Sequence, residues 1–178
     1  MISNKNKRLI PNMVFPDYAH VPGLTPHPKK KGGHSEFLED PEPETMDEKK
    51  PYDSVDFLYA VDLFNHGFYW ESHVWWEGLW HACGRKGVMG DFLKALIKLG
   101  AAGVKAKAKE LKGVTLHSRR AQELFDGILD RGFNYYAGFY IQDLLTYSKD
   151  IELNAQRYCE NSFPEGSVFD KYLIPDRN

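Results

Sequence analysis

Cysteine is scarce in this chain of 178 residues: Cys83 and Cys159 are its only two, far apart and outside any C-x-x-C spacing. That argues against a zinc knuckle and for a reducing compartment. No apolar run approaches the ~18 residues that cross a bilayer, and the short run Leu9 to Phe15 is broken by Pro11. The expectation is a cytoplasmic, unprocessed protein with no membrane segment. An excess of one charge is also lacking, since 23 Lys and Arg face 25 Asp and Glu for a net charge of −2. No global field therefore draws the chain to nucleic acid or to an anionic membrane. Neither G-x-S-x-G, a P-loop, a dinucleotide fingerprint nor H-E-x-x-H occurs, so the chemistry those motifs carry has no support here. Proline is nearly missing after residue 51, because eight of the ten prolines lie in residues 1–51.

What is present divides the chain by composition. Residues 1–51 read as an extended arm, because proline lacks the amide proton and fixes φ. Its first half, Phe15 to His34, mixes aromatics, His, Pro and Gly, and its second half, Glu36 to Lys50, is a charged linker. Residues 52–158 show helical periodicity, and 159–178 form a tail whose Phe169, Tyr172 and Leu173 can strap back after Pro164 and Gly166. A chain of this length suits one domain. The predicted helices run from Ser54 to Asn65, Phe68 to His81, Asp91 to Leu111, Leu116 to Arg131 and Gln142 to Tyr158, with Gly67 and Gly113 ending the first and third. Aromatic residues make up 14% of the sequence and concentrate between Tyr52 and Trp80, which should supply the large side chains of the core. The fold class is all-α: a bundle of about five helices with an N-terminal arm and a C-terminal strap.

The second helix carries the candidate chemistry. His73, Glu77 and Trp80 stand at i, i+4 and i+7, so all three share a face. An imidazole and a carboxylate one turn apart can hold a divalent metal ion, or the carboxylate can orient the imidazole as a general base. The same spacing also serves a satisfied polar pair inside an aromatic core. Glu71 falls on the other side of the helix, where a carboxylate in the first turn favours the macrodipole. In the arm, His20, His27 and His34 recur every seven residues, and His27 or His34 can complete a metal site begun by His73 and Glu77. Lys94, Lys98, Lys105, Lys109 and Lys112 form a stripe that can meet phosphates, although a lysine row beside an apolar face more often remains a solvated surface.

The segment from Leu63 to Trp80 resembles the core motif of a bacterial and archaeal family, the domain of unknown function 309. In outline that motif reads L-F-N-x-G-x-[FY]-x-E-[AS]-H-E-x-x-E-x-x-W, and Phe64, Asn65, Gly67, Glu71, His73, Glu77 and Trp80 fall in register. Phe92 to Ala102 is similar to the family's second motif, and the likeness extends over about Ser54 to Tyr147. Val74 stands where the family often has a second glutamate, and Lys94 and Lys98 stand where glutamines are usual. The resemblance implies a compact helical bundle and no activity, since the family is uncharacterised.

Two functions remain open from these residues. The one favoured is a binding or scaffold module for a protein or small molecule, with His73, Glu77, Trp80, Phe64, Asn65, Gly67 and Glu71 as a structural cluster. Its alternative is a metal-dependent or acid–base enzyme using His73 and Glu77. Nucleic-acid binding by the lysine stripe is disfavoured, and an oligomer is compatible with the sequence.

Overall fold

Ser54 starts the helical part of the chain, its hydroxyl accepting the amide of Phe57 at 3.2 Å as an N-cap should. The computed structural model describes residues 8–161 and 166–176, so Pro164 of the expected tail lies outside them. Six α-helices follow in chain order: α1 (Val55–Asn65), α2 (Tyr69–Ala82), α3 (Gly87–Lys107), α4 (Leu111–Asp130), α5 (Ile141–Leu153) and α6 (Ala155–Glu160). A short 3-10 turn over Pro51–Asp53 precedes them. A two-stranded antiparallel hairpin, β1 (Tyr135–Tyr136) and β2 (Phe139–Tyr140), joins α4 to α5. The first five helices each pack on the next, as short connections require.

Four of these helices end the same way. After α1, the Phe68 amide donates to the Leu63 carbonyl at 2.8 Å and the Gly67 amide to that of Phe64 at 3.1 Å, the two bonds of a Schellman closure. Equivalent pairs close α2 around Gly84, α3 around Lys109 and α4 around Gly132. Each closure needs a residue in the left-handed region, and at Lys109 a lysine takes φ +58°. This is why the third helix stops at Lys107 and not at Leu111 or Gly113, and why α4 begins a turn earlier than its periodicity suggested. Gly113 is absorbed into the first turn of α4.

The expected fifth helix is two. At Asn154 the side-chain amide donates to the carbonyl of Asp150 at 3.0 Å and to its carboxylate at 3.1 Å, and the chain turns from α5 into α6. A side chain that competes for a backbone acceptor in this way weakens helix continuity. The hairpin between α4 and α5 was not anticipated, because its strands of two residues are too short to show alternation.

Trp76, Tyr69, Phe64, Phe57, Phe92 and Phe125 are fully buried at the centre of the core. Tyr69 lies across α3 at Gly103, where an added Cβ would come within 2.4 Å of its ring. The C-terminal strap returns as expected: Phe169 packs against Phe64, Tyr69 and Tyr158, with ring centroids 5.9, 5.2 and 5.1 Å away. Trp80, expected to be buried, is only partly so, with Arg85 and Lys94 over its ring at 5.8 and 5.9 Å. Trp76 is the tryptophan of the centre. Trp76→Ala is therefore expected to cost roughly 3–5 kcal/mol in chemical denaturation, clearly more than Trp80→Ala. Equal losses would show that the buried face of α2 has been misassigned.

Candidate functional site

The polar residues of α1 and α2 divide into those that face inward to other segments of the chain and those that face out. Asp62, in α1, is buried and accepts the backbone amides of Leu9 and Ile10 at 2.8 Å each, with Arg8 Nε 3.5 Å away. Three residues on, Asn65 clamps the strap with both ends of its amide. Its Nδ2 donates to the Leu173 carbonyl and its Oδ1 accepts the Leu173 amide, each at 2.7 Å. Gly67 then lets the strap pass, because its φ is +85° and an added Cβ would stand 2.0 Å from the carbonyl oxygen of Gly166.

Glu71 does more than complement the helix dipole. Its Oε1 accepts the His20 amide at 2.8 Å and lies 3.0 Å from Nε2 of His34. The His34 and Glu71 side chains are 4% and 6% exposed, so the contact is sealed from water. The other nitrogen of His34 meets Ser35 Oγ at 2.8 Å, and His34 is thus committed at both ring atoms. Oε2 of Glu71 is buried without a hydrogen-bond partner among the described residues. His20 is buried too, with Nδ1 3.0 Å from Thr25 Oγ1. Burial, with the neighbouring His27, pushes its pKa below the ordinary 6.5.

His73 and Glu77 do share a face of α2, with Nε2 3.5 Å from Oε2, but the side chains are 26% and 46% exposed. This is a half-open ion-pair geometry and not the enclosed hydrogen bond that the spacing also allowed. His27 and His34 stay apart from it. His34 is held by Glu71, while the His27 ring packs on Trp70 at 5.8 Å, and Trp70 in turn contacts the His73 ring at 5.9 Å. Among the described residues no group of three or more His, Cys, Asp or Glu side chains is gathered closely enough to hold a metal ion.

What His73 meets outside its own helix comes from α3. Gly100 brings α3 close, its Cα side facing the Tyr69 carbonyl and the Cβ of His73. Burial pushes the His73 pKa below 6.5; the Glu77 carboxylate opposes the shift and the Lys98 ammonium adds to it. His117, in the first half of α4, is lowered for the same reasons: burial first, then Lys98, Lys105 and His73. Two imidazoles, one on α2 and one on α4, are therefore biased to the neutral form by burial and by the field of Lys98, and each neutral ring offers one donor and one acceptor. The lysine stripe does not run the length expected, because Lys109 lies in the turn and Lys112 on α4. Lys94 is drawn to Trp80 and Lys105 bonds Glu110 at 2.7 Å. His117 was not singled out from the sequence. Its spacing to Ala121, Leu124 and Ile128 puts it on the edge of the apolar stripe of α4, a position that could have marked it.

Residues 57–116 match the model of a family described as Domain of unknown function (DUF309). The matched stretch runs from the first turn of α1 into α4 and contains Asn65, Glu71, His73, Glu77 and Lys98, and the likeness read from the motifs is shown over these residues. Among curated proteins and among solved structures, nothing matches the chain. No helix among the described residues is long and apolar enough to cross a membrane.

A double-mutant cycle separates the two kinds of polar contact. Glu71→Ala with His34→Ala is expected to show a coupling of roughly 0.5–3 kcal/mol, because either single change strands a buried polar group. The cycle of His73 with Glu77 should give less than about 1 kcal/mol, as for exposed pairs. Strong coupling at His73 and Glu77 with none at Glu71 and His34 would reverse the assignment of inward and outward residues.

Proposed function

We propose that this protein is a small cytoplasmic helical binding protein whose ligand site is the half-open polar face shared by α2, α3 and α4. One observation carries the reading. Asn65 and Glu71 are occupied by the chain's own arm and strap, whereas His73 and Glu77 stay half-open on α2, with His73 in the electrostatic field of Lys98 and itself bearing on His117. Buried polar groups with internal partners serve the fold. Titratable groups with shifted proton affinity, gathered from three elements on an accessible face, are the usual makings of a site. The choice of compartment is supported by the scarcity and wide spacing of cysteine in the sequence.

A second reading, acid–base chemistry at the same place, rests on a neutral His73 beside the Glu77 carboxylate, which are the parts of a general base. If the carboxylate activates the ring, Glu77→Gln slows carbethoxylation of His73 by diethyl pyrocarbonate. An unchanged rate removes that reading.

Two measurements test the binding site. A histidine whose folded pKa lies below its unfolded 6.5 binds fewer protons when folded, so stability is complete above that pH and falls as pH drops toward the folded pKa. Replacing His73 and His117 by Gln should therefore flatten the loss of stability below pH ~6.5, leaving the share due to His20. An undiminished slope would mean that the two rings are not held neutral. Ligand-observed NMR against a pooled library of small metabolites should give hits that His73→Ala and His117→Ala both lose. Hits retained by both variants would move the site elsewhere.

A further inference from the structure

A half-open cavity of about 650 Å³ lies where three segments of the chain meet: residues 48–53 at the end of the linker, Phe133 with residues 135–138 of the hairpin, and Asp176 at the end of the strap. It shares no residue with the face of His73 and Glu77, and its size suits a small molecule. Contacts between the three segments fix its walls. The Tyr52 hydroxyl donates to the Pro175 carbonyl, and the Asp176 amide donates to the Gly138 carbonyl at 2.6 Å. Ala137 and Gly138 take φ +48° and +85°, as a two-residue hairpin turn requires. At Gly138 an added Cβ would stand 2.7 Å from Cβ of Pro175 and 3.3 Å from Cγ of Pro51, so glycine lets the hairpin close on the other two segments. The lining combines aromatic rings with charge. Tyr52, Phe133, Tyr135 and Tyr136 contribute to it, with Phe133 nearly perpendicular to Tyr136 at 5.8 Å between ring centroids. Phe133 and Tyr135 are each 39% exposed, which is aromatic area that the fold leaves uncovered beside the cavity. Glu48, Asp53 and Asp176 also line it, as do Lys49 and Lys50, and none of the five makes an ion pair among the described residues.

We infer that this cavity binds a small organic cation with an alkylated ammonium head, held against the rings of Tyr52, Phe133 and Tyr135 with Asp53, Asp176 and Glu48 as its counter-charge. The two signs of charge in the lining are held differently. Asp53 and Asp176 have short side chains on backbone that is itself bonded, the Asp53 amide to the Lys50 carbonyl at 3.0 Å and the Asp176 amide to Gly138. Lys49 and Lys50 are exposed, and their long stems let the ammonium groups extend into water. The fixed charge of the cavity is therefore negative. Aromatic faces add to it, because the ring quadrupole attracts a cation and an alkylated head sheds its water readily to lie on a ring. A bare metal ion needs several oxygens converging on one point, which a wall of rings does not supply. An anion would meet three carboxylates and the negative faces of the same rings. The cavity also leaves room beyond the head for a short chain or a ring carried on it.

The test is an NMR titration of the full chain at constant ionic strength, following the backbone amides of Tyr135, Ala137 and Gly138. Four probes are compared: choline, benzyltrimethylammonium, benzoate, and 3,3-dimethylbutanol, which keeps the shape of choline without its charge. Both cations should move these amides saturably, with choline bound about tenfold more tightly than its neutral counterpart and benzoate giving no saturable shift. Tyr135→Leu and Asp176→Asn should each weaken choline by about three- to tenfold. Both positions are exposed, so neither change removes core packing, and the spectrum away from the cavity should keep the dispersion of the unaltered chain. Equal affinity for choline and 3,3-dimethylbutanol would overturn the inference, because the cavity would then select apolar shape and not charge. Saturable binding of benzoate would overturn it by giving the governing charge to Lys49 and Lys50. Choline binding unchanged in both variants, or no saturable shift with either cation, would overturn it as well.

Discussion

The carboxylate of Glu71, buried in the first turn of α2, is the contact on which the rest of the arrangement depends. It gathers the His20 amide and the His34 ring from the arm at one oxygen, in a place closed to water. Asp62 does the same for Leu9 and Ile10, and Asn65 for Leu173. These three side chains fall along α1 and the turn into α2, so that one helical hairpin fastens both the beginning and the end of the described chain. Hydrogen bonds to a buried charge are worth more than neutral ones, and leaving the charge without them costs more still. Arm and strap are thereby bound to the hairpin by polar contacts as well as by the burial of Val21, Phe169 and Leu173.

This use of Glu71 and Asn65 gives the motif a division of labour. Residues whose side chains turn toward arm and strap hold the fold. The face one step round α2, carrying His73 and Glu77, stays half-open, and the field of Lys98 on α3 reaches it. The arm reaches only the margin of this face, where Trp70 packs against His20 and His27 on one side and His73 on the other. Fastening and exposure are thus two sides of the same helix.

Much of the fold was legible. A cap at Asp53 or Ser54, of which the structure uses Ser54, Gly67 as the left-handed terminator, the apolar stripe of α4 and the returning Phe169 and Leu173 all follow from local chemistry that a sequence displays. The end of α3 was not legible, because a lysine at 109 takes the conformation that glycine usually marks. Neither was the break at Asn154, which depends on a side chain bonding back to Asp150. For the site, the shared face of His73 and Glu77 could be read from spacing, but its neighbours could not. Periodicity places a residue on a face without saying which distant segment arrives there. Hence Glu71 was read as a dipole partner when its main contacts come from residues 51 and 37 positions earlier, and His34 was offered to His73 when it belongs to Glu71.

The division between inward and outward carboxylates on α2 is most directly tested by comparing Glu71→Gln with Glu77→Gln in equilibrium urea denaturation at neutral pH. Each change removes one charge and keeps the shape of the side chain. A clear drop in the midpoint for Glu71→Gln, with the Glu77→Gln midpoint near that of the unaltered chain, is the result expected. Equal midpoints, or a larger drop for Glu77→Gln, would contradict it.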